Sequence, residues 1–362
     1  MKIIINITYP AFALFVFASS ALAESLFVAA RYSNEVAVIN TSTNHVVTQI
    51  PVGSFPIRIA MTPNRFKAFV SNGKSASVSV LDTVAHTNTA TIPVSSVPGE
   101  SAITPDGGRL FVLHQSGDNH TCPVDVIDTA TNLVIITVMI PGNWAKDILF
   151  TLDGRFAYIA NFSNGEVDVI DTTTYQVTNI HTAAGPRRLC ISPAGDRVYV
   201  TNNKGDSVSA IDTATKQLIA TLPVGLSPEG IGITPNGQEV YATNQRDGTV
   251  SVIDTTTLTV IATIPTGELC QRVVFTRDGA EAFVSNGYSD TVSVVDTATH
   301  TVIKTLPTGR HPFEMLISPG DMELYVCNAS DTTLTVIDIP SLTVSATIAN
   351  VGSAPFDLAF GP

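Results

Sequence analysis

The chain has 362 residues, of which 44% are hydrophobic and only 14% are charged. This composition excludes an intrinsically disordered chain, which would combine low hydrophobicity with high charge. The net charge is −12 and no basic run is longer than Arg187-Arg188, which argues against nucleic acid as a partner because an acidic surface repels a phosphate backbone.

Residues 1–23 have the pattern of a secretory signal peptide. Lys2 precedes an uncharged apolar run from Ile3 to Ser20, and Ala21-Leu22-Ala23 places small residues where a signal peptidase cuts. The alternative is an uncleaved membrane anchor, since the run is almost long enough to cross a bilayer. Cleavage is predicted because Asn6 and Pro10 interrupt the run. The mature chain, with a net charge of −13 after the signal's single lysine is lost, is expected to be exported, either to the periplasm or as a secreted or cell-surface protein, with no transmembrane helix.

From residue 24 onward, one unit of four strand-like segments recurs. In one copy the segments are 230–234, 240–243, 250–253 and 260–264, rich in Val, Ile, Thr and Tyr and bounded by turn residues. An acidic or amide residue recurs once per unit, at Asn40, Asp82, Asp128, Asp171, Asp212, Asp254, Asp296 and Asp338, in steps of 41 to 46 residues. Four strands in about 42 residues are typical of a propeller blade. The sequence therefore predicts an all-β fold over residues 24–362, a single eight-bladed β-propeller domain of four-stranded antiparallel blades.

The repeated aspartates are interpreted as structural rather than catalytic. Asp212 is followed by Thr213 and Thr215, and such side chains bond the backbone N–H groups of a turn. A catalytic group is seldom needed in eight copies.

The two ends of the mature chain predict how the ring closes. Leu26 to Ala30 has the pattern of the second strand of a blade, and Pro355 to Phe360 has the pattern of a first strand. The final strand is therefore expected to complete the N-terminal blade and to leave no free edge there. Phe356, Leu358 and Phe360 are expected to share one face of that strand.

The segment Tyr199-Val-Thr-Asn202 has the variants Tyr-Ala-Thr-Asn at 241–244, Phe-Val-Ser-Asn at 283–286 and Tyr-Val-Cys-Asn at 325–328. Across residues 26–362 the chain resembles the YVTN β-propeller repeat family. The resemblance implies an exported or surface-associated propeller, and many members of that family lack an assigned activity. Many members have seven blades, whereas this sequence counts eight, and Ala30 and His114 replace the asparagine in two repeats.

Equivalent positions at the start of the eight inner strands carry an unusual concentration of charge. They are Arg58, Glu100, Asp147, Arg188, Gly230, Arg272, Glu314 and Asp357. The adjoining positions are Ile57, Gly99, Lys146, Arg187, Glu229, Gln271, Phe313 and Phe356. These residues predict a charged mouth of the central channel as the ligand site. Three interpretations stay open: arginines that hold a carboxylate or phosphate, acids that hold Ca²⁺, or arginines and acids that pair with one another.

The insertion in the third repeat is a weaker candidate site. His114, His120 and Cys122 lie within nine residues and have the side chains that transition metals prefer, although their spacing matches no established zinc pattern. Trp144 is expected to cap the channel or to pack, with ligand stacking as the alternative. The four cysteines, Cys122, Cys190, Cys270 and Cys327, fall in different repeats, so buried thiols and disulfides both stay open.

The sequence contains no nucleophile elbow, no zinc-protease motif, no P-loop and no CxxCH haem attachment. The leading interpretation is a non-catalytic binding scaffold, monomeric and without a cofactor, whose charged mouth takes a small molecule, a peptide or a cell-envelope protein. The alternative is a propeller hydrolase or lactonase with a divalent cation held by Glu100, Asp147, Glu314 or Asp357. A third hypothesis is a redox-linked subunit with a bound haem or quinone.

Overall fold

The computed structural model describes residues 24–115 and 121–362, and these contain strands and turns but no helix. The predicted signal peptide and His120 lie outside the described residues. The first sixteen strands are β1 (Ser25–Ala30), β2 (Glu35–Asn40), β3 (His45–Pro51), β4 (Pro56–Met61), β5 (Lys67–Asn72), β6 (Ser77–Asp82), β7 (Thr87–Pro93), β8 (Pro98–Ile103), β9 (Arg109–His114), β10 (Thr121–Asp128), β11 (Leu133–Pro141), β12 (Ala145–Phe150), β13 (Phe156–Asn161), β14 (Glu166–Asp171), β15 (Val177–His181) and β16 (Pro186–Ile191). The remaining strands are β17 (Arg197–Asn202), β18 (Ser207–Asp212), β19 (Gln217–Pro223), β20 (Pro228–Ile233), β21 (Glu239–Asn244), β22 (Thr249–Asp254), β23 (Thr259–Pro265), β24 (Cys270–Phe275), β25 (Glu281–Asn286), β26 (Thr291–Asp296), β27 (Thr301–Pro307), β28 (Pro312–Ile317), β29 (Glu323–Asn328), β30 (Thr333–Asp338), β31 (Thr343–Ile348) and β32 (Pro355–Phe360).

These strands form eight four-stranded antiparallel sheets within the described part of the chain. One edge strand of each sheet lies at the centre of the ring and is called its inner strand. The inner strands contact one another in turn around a central axis. In order around the ring they are β4, β8, β12, β16, β20, β24, β28 and β32. The prediction of an eight-bladed propeller is confirmed. The blades are numbered here in chain order, so that blade 1 contains β1, blade 2 contains β4 and blade 8 contains β28.

The C-terminal strand closes the ring as predicted. Blade 1 has the strand order β3-β2-β1-β32, and Leu26 and Val28 pair with Phe360 and Leu358. Leu358 and Phe360 are 7% and 8% exposed and pack in the core that blade 1 shares with blade 8. Phe356 does not join them, contrary to the expectation that all three share a face. The pairing of β1 with β32 skips Phe356 at a bulge, and a bulge turns the extra residue away from the regular alternation.

The hydrophobic core lies between neighbouring blades. Leu26 and Val28 of blade 1, for example, belong to one cluster with Tyr325, Leu334 and Val336 of blade 8. The middle strands supply most of these side chains because both of their faces are covered by adjacent sheets. Burying each such side chain stabilises the fold by about 1.5–3 kcal/mol, so the ring is held together mainly by sheet-to-sheet packing.

A buried asparagine ends the second strand of six blades in the described chain, at Asn72, Asn161, Asn202, Asn244, Asn286 and Asn328. Its Nδ2 donates to a polar side chain of the third strand, as Asn72 does to Ser79 at 3.0 Å. A glycine packs against this amide: a Cβ on Gly53 would lie 2.5 Å from Asn72 Nδ2. This contact fixes the loops at one end of the channel.

The repeated aspartates cap turns, as interpreted from the sequence. The Oδ1 atom of Asp254 accepts from the backbone N–H groups of Thr256 and Thr257 at 3.0 and 2.7 Å. These hydrogen bonds lower the pKa of Asp254. All four cysteines are free thiols. A search of the described residues for helices that could span a bilayer finds none.

Candidate functional site

Every inner strand carries an irregularity of register at its first residues. In blade 5, Pro186 pairs with Asn202 and Leu189 pairs with Val200. Three steps along the inner strand therefore match only two steps along its partner, which leaves one extra residue in a bulge. The same shift occurs near the start of the other inner strands. Such a bulge interrupts the alternation of side chains. Consecutive residues such as Arg187 and Arg188 therefore both line the same cavity at this end of the channel, which we call the mouth.

The seven charged residues expected at this level converge on the channel and form a ring of ion pairs. This charged ring consists of Arg58, Glu100, Asp147, Arg188, Arg272, Glu314 and Asp357. The eighth position is Gly230, where a Cβ would lie only 2.2 Å from the carbonyl oxygen of Gln271. The close approach of blades 6 and 7 therefore requires glycine there.

Three arginines organise the ring. Arg58 lies 3.0 Å from Asp357 and 3.4 Å from Glu100, so it bridges two neighbouring blades. Arg188 lies 3.2 Å from Glu100 and 3.5 Å from Asp147. The Arg188–Glu100 pair passes over blade 4 and joins β16 to β8. The pairing that the sequence left as one of three interpretations is thus present in the structure.

Arg272 completes this arrangement in blade 7. Its Nε lies 3.0 Å from Glu314. Its Nη1 lies 3.9 Å from Glu229, which is one of the positions next to the charged ring. Arg272 is 8% exposed, so this cation depends on its carboxylate partners rather than on water.

Burial and ion pairing act in opposite directions on the acids of the ring. Burial raises the pKa of Asp357 to about 6, and the opposing attraction from Arg58 is too weak to cancel it. Burial also raises the pKa of Asp147 against the attraction of Arg188. At Glu100 burial is outweighed by Arg188, Arg58 and Arg272, which lower its pKa. The same balance lowers the pKa of Glu314, where Arg272 is the main opposing group.

Above the ring lies a cavity of about 180 Å³, called the mouth cavity. Its lining consists of Arg31, Ile57, Gly99, Glu100, Gln115, Ala145, Lys146, Arg187, Arg188, Glu229, Phe313 and Phe356. Four of these side chains are cationic and two are carboxylates. The lining therefore carries a net positive charge, although the net charge of the whole chain is strongly negative.

The four cations of the mouth cavity differ in their partners. Arg188 pairs within the charged ring, and Arg187 forms an ion pair with Glu229, which is 2% exposed. Arg31 and Lys146 have no carboxylate within 4 Å among the residues that the structure describes. The Nε atom of Arg31 is buried and has no hydrogen-bond partner.

Aromatic rings hold these two cations in place. The guanidinium of Arg31 lies over Phe356, and the Nζ atom of Lys146 lies 3.6 Å from the ring centre of Trp144. Burial lowers the pKa of Arg31 to about 10. Burial, together with the nearby charge of Arg187, lowers the pKa of Lys146 to about 8. Cation–π attraction to these rings favours the charged form of each side chain and so opposes the effect of burial.

Arg31 is a residue of the site that the sequence analysis missed. It lies in the turn between β1 and β2, one residue beyond the position that holds asparagine in other blades. The equivalent residues are Gly73, Gln115, Phe162, Asn203, Gln245, Gly287 and Ala329. A comparison of these turn positions would have found it, because Arg31 is the one charged residue among the eight.

Aromatic side chains form one wall of the mouth cavity and part of its rim. Phe313 and Phe356 stack with their ring centres 4.4 Å apart, and both line the cavity. Trp144 is 42% exposed and meets Phe162 edge to face at 5.3 Å. Trp144 therefore packs at the rim beside Lys146, which agrees with the packing interpretation.

The residues of the third-repeat insertion have other roles in the structure. His114 is fully buried; its Nε2 lies 3.0 Å from Asp125 and its Nδ1 3.1 Å from the carbonyl oxygen of Ser96. The thiol of Cys122 donates to the carbonyl oxygen of His114 at 2.7 Å. His114 thus replaces the repeat's asparagine as the partner of the third strand. The described part of the chain contains no group of three potential metal ligands.

A larger groove of about 520 Å³ lies at the outer rim, between residues 44–49 of blade 1 and residues 347–350 of blade 8. Its lining consists of small apolar residues and neutral polar residues, with His45 as the one ionisable residue. It lacks the converging charges of the mouth.

Comparison with known proteins supports a propeller. The sequence profile of a family described as YNCE-like beta-propeller matches residues 275–362. The chain is 31% identical over 103 residues to the seven-bladed beta-propeller protein Rv1057 of Mycobacterium tuberculosis, and 33% identical over 181 residues to the uncharacterized protein YwhL of Bacillus subtilis. These matches cover 26% and 49% of this chain but only 26% and 38% of the two relatives.

Solved structures resemble the whole ring. Similar chains occur in hydrazine synthase of Kuenenia stuttgartiensis (TM-score 0.63, 23% identity, 78% of this chain and 95% of that one) and in the dihydro-heme d1 dehydrogenase NirN (TM-score 0.79, 13% identity, 93% and 75%). A functionally unknown protein from Desulfotomaculum acetoxidans DSM 771 aligns with a TM-score of 0.63 at 18% identity, over 93% of this chain and 98% of its own. At these identities the likeness is one of fold. The chain is thus a β-propeller of eight blades, similar over residues 275–362 to the YNCE-like propellers.

Proposed function

We propose that this protein is an exported, non-catalytic binding protein whose ligand site is the mouth of its central channel. The observation that carries the proposal is the state of Arg31 and Lys146. Both are largely removed from water, both line one cavity, and neither has a carboxylate partner in the described chain. Desolvated charges are costly unless they are paired, and a ligand would supply the missing partner.

The surrounding fold suits rigid recognition. Most mouth residues lie on inner strands whose neighbours are packed on both sides, while Arg31 lies in the adjacent β1–β2 turn against the ring of Phe356. A site prepared in this way loses little conformational entropy when a ligand binds. The signal-like residues 1–23 support export, which N-terminal sequencing of protein from the cell envelope tests; a mature chain that starts at Glu24 is expected.

The alternative of a metal-dependent hydrolase has less support. Glu100, Asp147, Glu314 and Asp357 each have an arginine at 3.0 to 3.5 Å. Asp147 and Asp357 also accept backbone N–H groups from Leu189 and Ile59 at 2.9 and 2.6 Å. A divalent cation would have to compete with these donors for the same oxygens.

Thermal unfolding of the purified protein in the presence of small organic acids, sugars and short peptides tests the proposal. At least one compound should raise the melting temperature of the wild type and have much less effect on Lys146→Gln. The control is Lys204→Gln, which removes the same charge from the β17–β18 turn outside the mouth cavity. Hydrolysis of esters or lactones that is lost on chelation and in Glu100→Gln would overturn the proposal in favour of the hydrolase.

A further inference from the structure

The cations of the mouth cavity fall into two groups on facing sides. Arg31 comes from blade 1, whereas Lys146 comes from blade 4 and Arg187 and Arg188 come from blade 5. In a ring of eight blades, blades 4 and 5 lie three and four steps from blade 1 and so face it across the channel. A compact anion such as phosphate can reach one group, but an extended molecule is needed to meet both.

The wall on the Arg31 side of the cavity is apolar. Phe313 and Phe356 form their stacked pair on blades 8 and 1, and Ile57 of blade 2 lines the cavity beside them. Methylene groups or a small ring would bury their surface against this wall, which favours binding by the hydrophobic effect. The two carboxylates of the lining, Glu100 and Glu229, each pair with an arginine, so they offset the charges of Arg31 and Lys146 only in part.

The volume of the cavity limits the size of the occupant. At about 180 Å³ it is smaller than the roughly 300–1,000 Å³ of sites for drug-sized ligands. It corresponds to about six water molecules at roughly 30 Å³ each. A short-chain organic acid fits this limit, whereas a folded protein segment or a large cofactor does not enter the cavity.

We propose that the mouth cavity binds a small dicarboxylate, with one carboxylate held by Arg31 and the other by Lys146 beside Arg187. The apolar body of the ligand lies against Phe313 and Phe356. This inference rests on the proposed function, because it names the ligand class of the same site. Arginine matches a carboxylate through paired N–H donors, and the buried Nε of Arg31 lacks such a partner among the residues that the structure describes.

Isothermal titration calorimetry at low salt tests the inference with defined probes. The probes are saturated dicarboxylates of four, five and six carbons, hexanoate as a monocarboxylate, and inorganic phosphate. At least one dicarboxylate should bind about tenfold or more tightly than both hexanoate and phosphate. Arg31→Gln and Lys146→Gln should each weaken it about ten- to hundredfold, as expected for the loss of a hydrogen bond to a charged group. Lys204→Gln should bind like the wild type.

The outcomes separate this inference from the proposed function. If no dicarboxylate binds, or if hexanoate binds as well as the dicarboxylates, the inference is wrong. The proposed function then stands when another compound binds the wild type and not Lys146→Gln. If dicarboxylates bind equally to the wild type, Arg31→Gln and Lys146→Gln, the site lies elsewhere and both proposals are wrong. Unchanged thermal unfolding of the unliganded variants shows that any loss of binding is local.

Discussion

Val28 pairs with Leu358, a residue 330 positions later, and this antiparallel contact between β1 and β32 closes the ring. The contact also extends through Ser25, whose N–H donates to the carbonyl oxygen of Pro362 at 3.2 Å. The first and last described segments therefore belong to one sheet. The closure of the ring therefore depends on the pairing of β1 with β32.

Deletion of residues 353–362 should open or unfold the ring. The deletion removes Leu358 and Phe360 from the core, and each contributes about 1.5–3 kcal/mol of burial. It also exposes the edge of β1, which is now paired. Thermal unfolding should show a large fall in melting temperature or no cooperative transition.

The point variant Leu358→Ala alone should lower the free energy of unfolding by about 2–5 kcal/mol. The control Leu152→Ala, at a side chain that is 57% exposed, should change it little. A truncated protein that melts like the full chain would contradict this account of closure.

Much of this architecture could be predicted because it is repeated. The spacing of Asp212, Asp254 and Asp296 gives the length of one blade directly. The strand-like patterns of residues 26–30 and 355–360 predict that the two segments share one sheet and close the ring. The charged ring could also be found, since its members occupy the same position of each repeat.

Other features of the mouth depend on distances that a repeat does not encode. The sequence placed Phe356 beside the mouth but also on the face of Leu358 and Phe360, and the bulge that separates it from that face has no sign in the sequence. Arg188 reaches Glu100 across an intervening blade, which follows from the width of the channel and the length of the side chain. Arg31 lies in a turn whose residues differ from blade to blade, so the repeat pattern does not mark it, and its single charge stands out only when this turn position is compared across all eight blades.

Dicarboxylate binding should weaken by about tenfold between pH 7 and pH 9. Burial and the charge of Arg187 lower the pKa of Lys146 to about 8 in the free protein; Arg188 adds to this effect, while Glu229 and Glu100 oppose it. A bound carboxylate raises that pKa again, so binding takes up a proton above pH 8 and its affinity falls as the pH rises.

Titration calorimetry at several pH values measures this dependence. Lys146→Arg is the matched variant, because it keeps a positive charge throughout the range. Its affinity should change little between pH 7 and pH 9. An equally steep dependence in Lys146→Arg would show that another group titrates.

Replacement of Asp168 by the serine found in other blades should reveal a pH-dependent cost of the buried charge. Asp168 is fully buried and accepts a hydrogen bond from Asn161 at 2.8 Å. Burial nevertheless raises its pKa to about 6. Because the folded pKa lies above the unfolded value of about 3.9, the native state loses stability as the pH rises from 4 to 6. The free energy of unfolding of Asp168→Ser should therefore increase by about 2–3 kcal/mol relative to that of the wild type between pH 4 and pH 7.

The same position in blade 3 provides a control of opposite sign. Burial of Asp125 is outweighed by hydrogen bonds from His114, Ser95 and Thr137, which lower its pKa to about 2. Its stabilising effect is therefore present above about pH 4 and is lost as the pH falls towards 2. Asp125→Ser should be less stable than the wild type at pH 7, and the difference should shrink in acid. Chemical denaturation across this range measures the free energy of unfolding of both variants. If the stability of the two variants changed with pH in the same direction, the pKa shifts assigned to Asp168 and Asp125 would be wrong.

Arg58→Met should destabilise the protein strongly at neutral pH, because it leaves Asp357 buried without its cation. Asp357 is 3% exposed and lies 3.0 Å from Arg58. Removing one partner of a fully buried ion pair typically costs about 3–5 kcal/mol, and the cost here should fall at or below the low end of that range because the side chain of Arg58 is 35% exposed. The pKa of Asp357 is already raised to about 6 and should rise further in the variant. Since a raised carboxyl pKa penalises the charged form, the loss should be largest above pH 7 and should diminish as the pH falls towards 5.

Two further variants make this test specific. Adding Asp357→Asn to Arg58→Met should restore much of the stability at pH 7, because the remaining side chain is neutral and can still accept from the backbone N–H of Ile59. Arg310→Met removes an exposed arginine that pairs with Asp331 at 2.8 Å, and such surface pairs contribute little. If Arg58→Met were no more harmful than Arg310→Met, or if Asp357→Asn gave no rescue, the charged ring would not be the buried ion-pair network that its distances indicate.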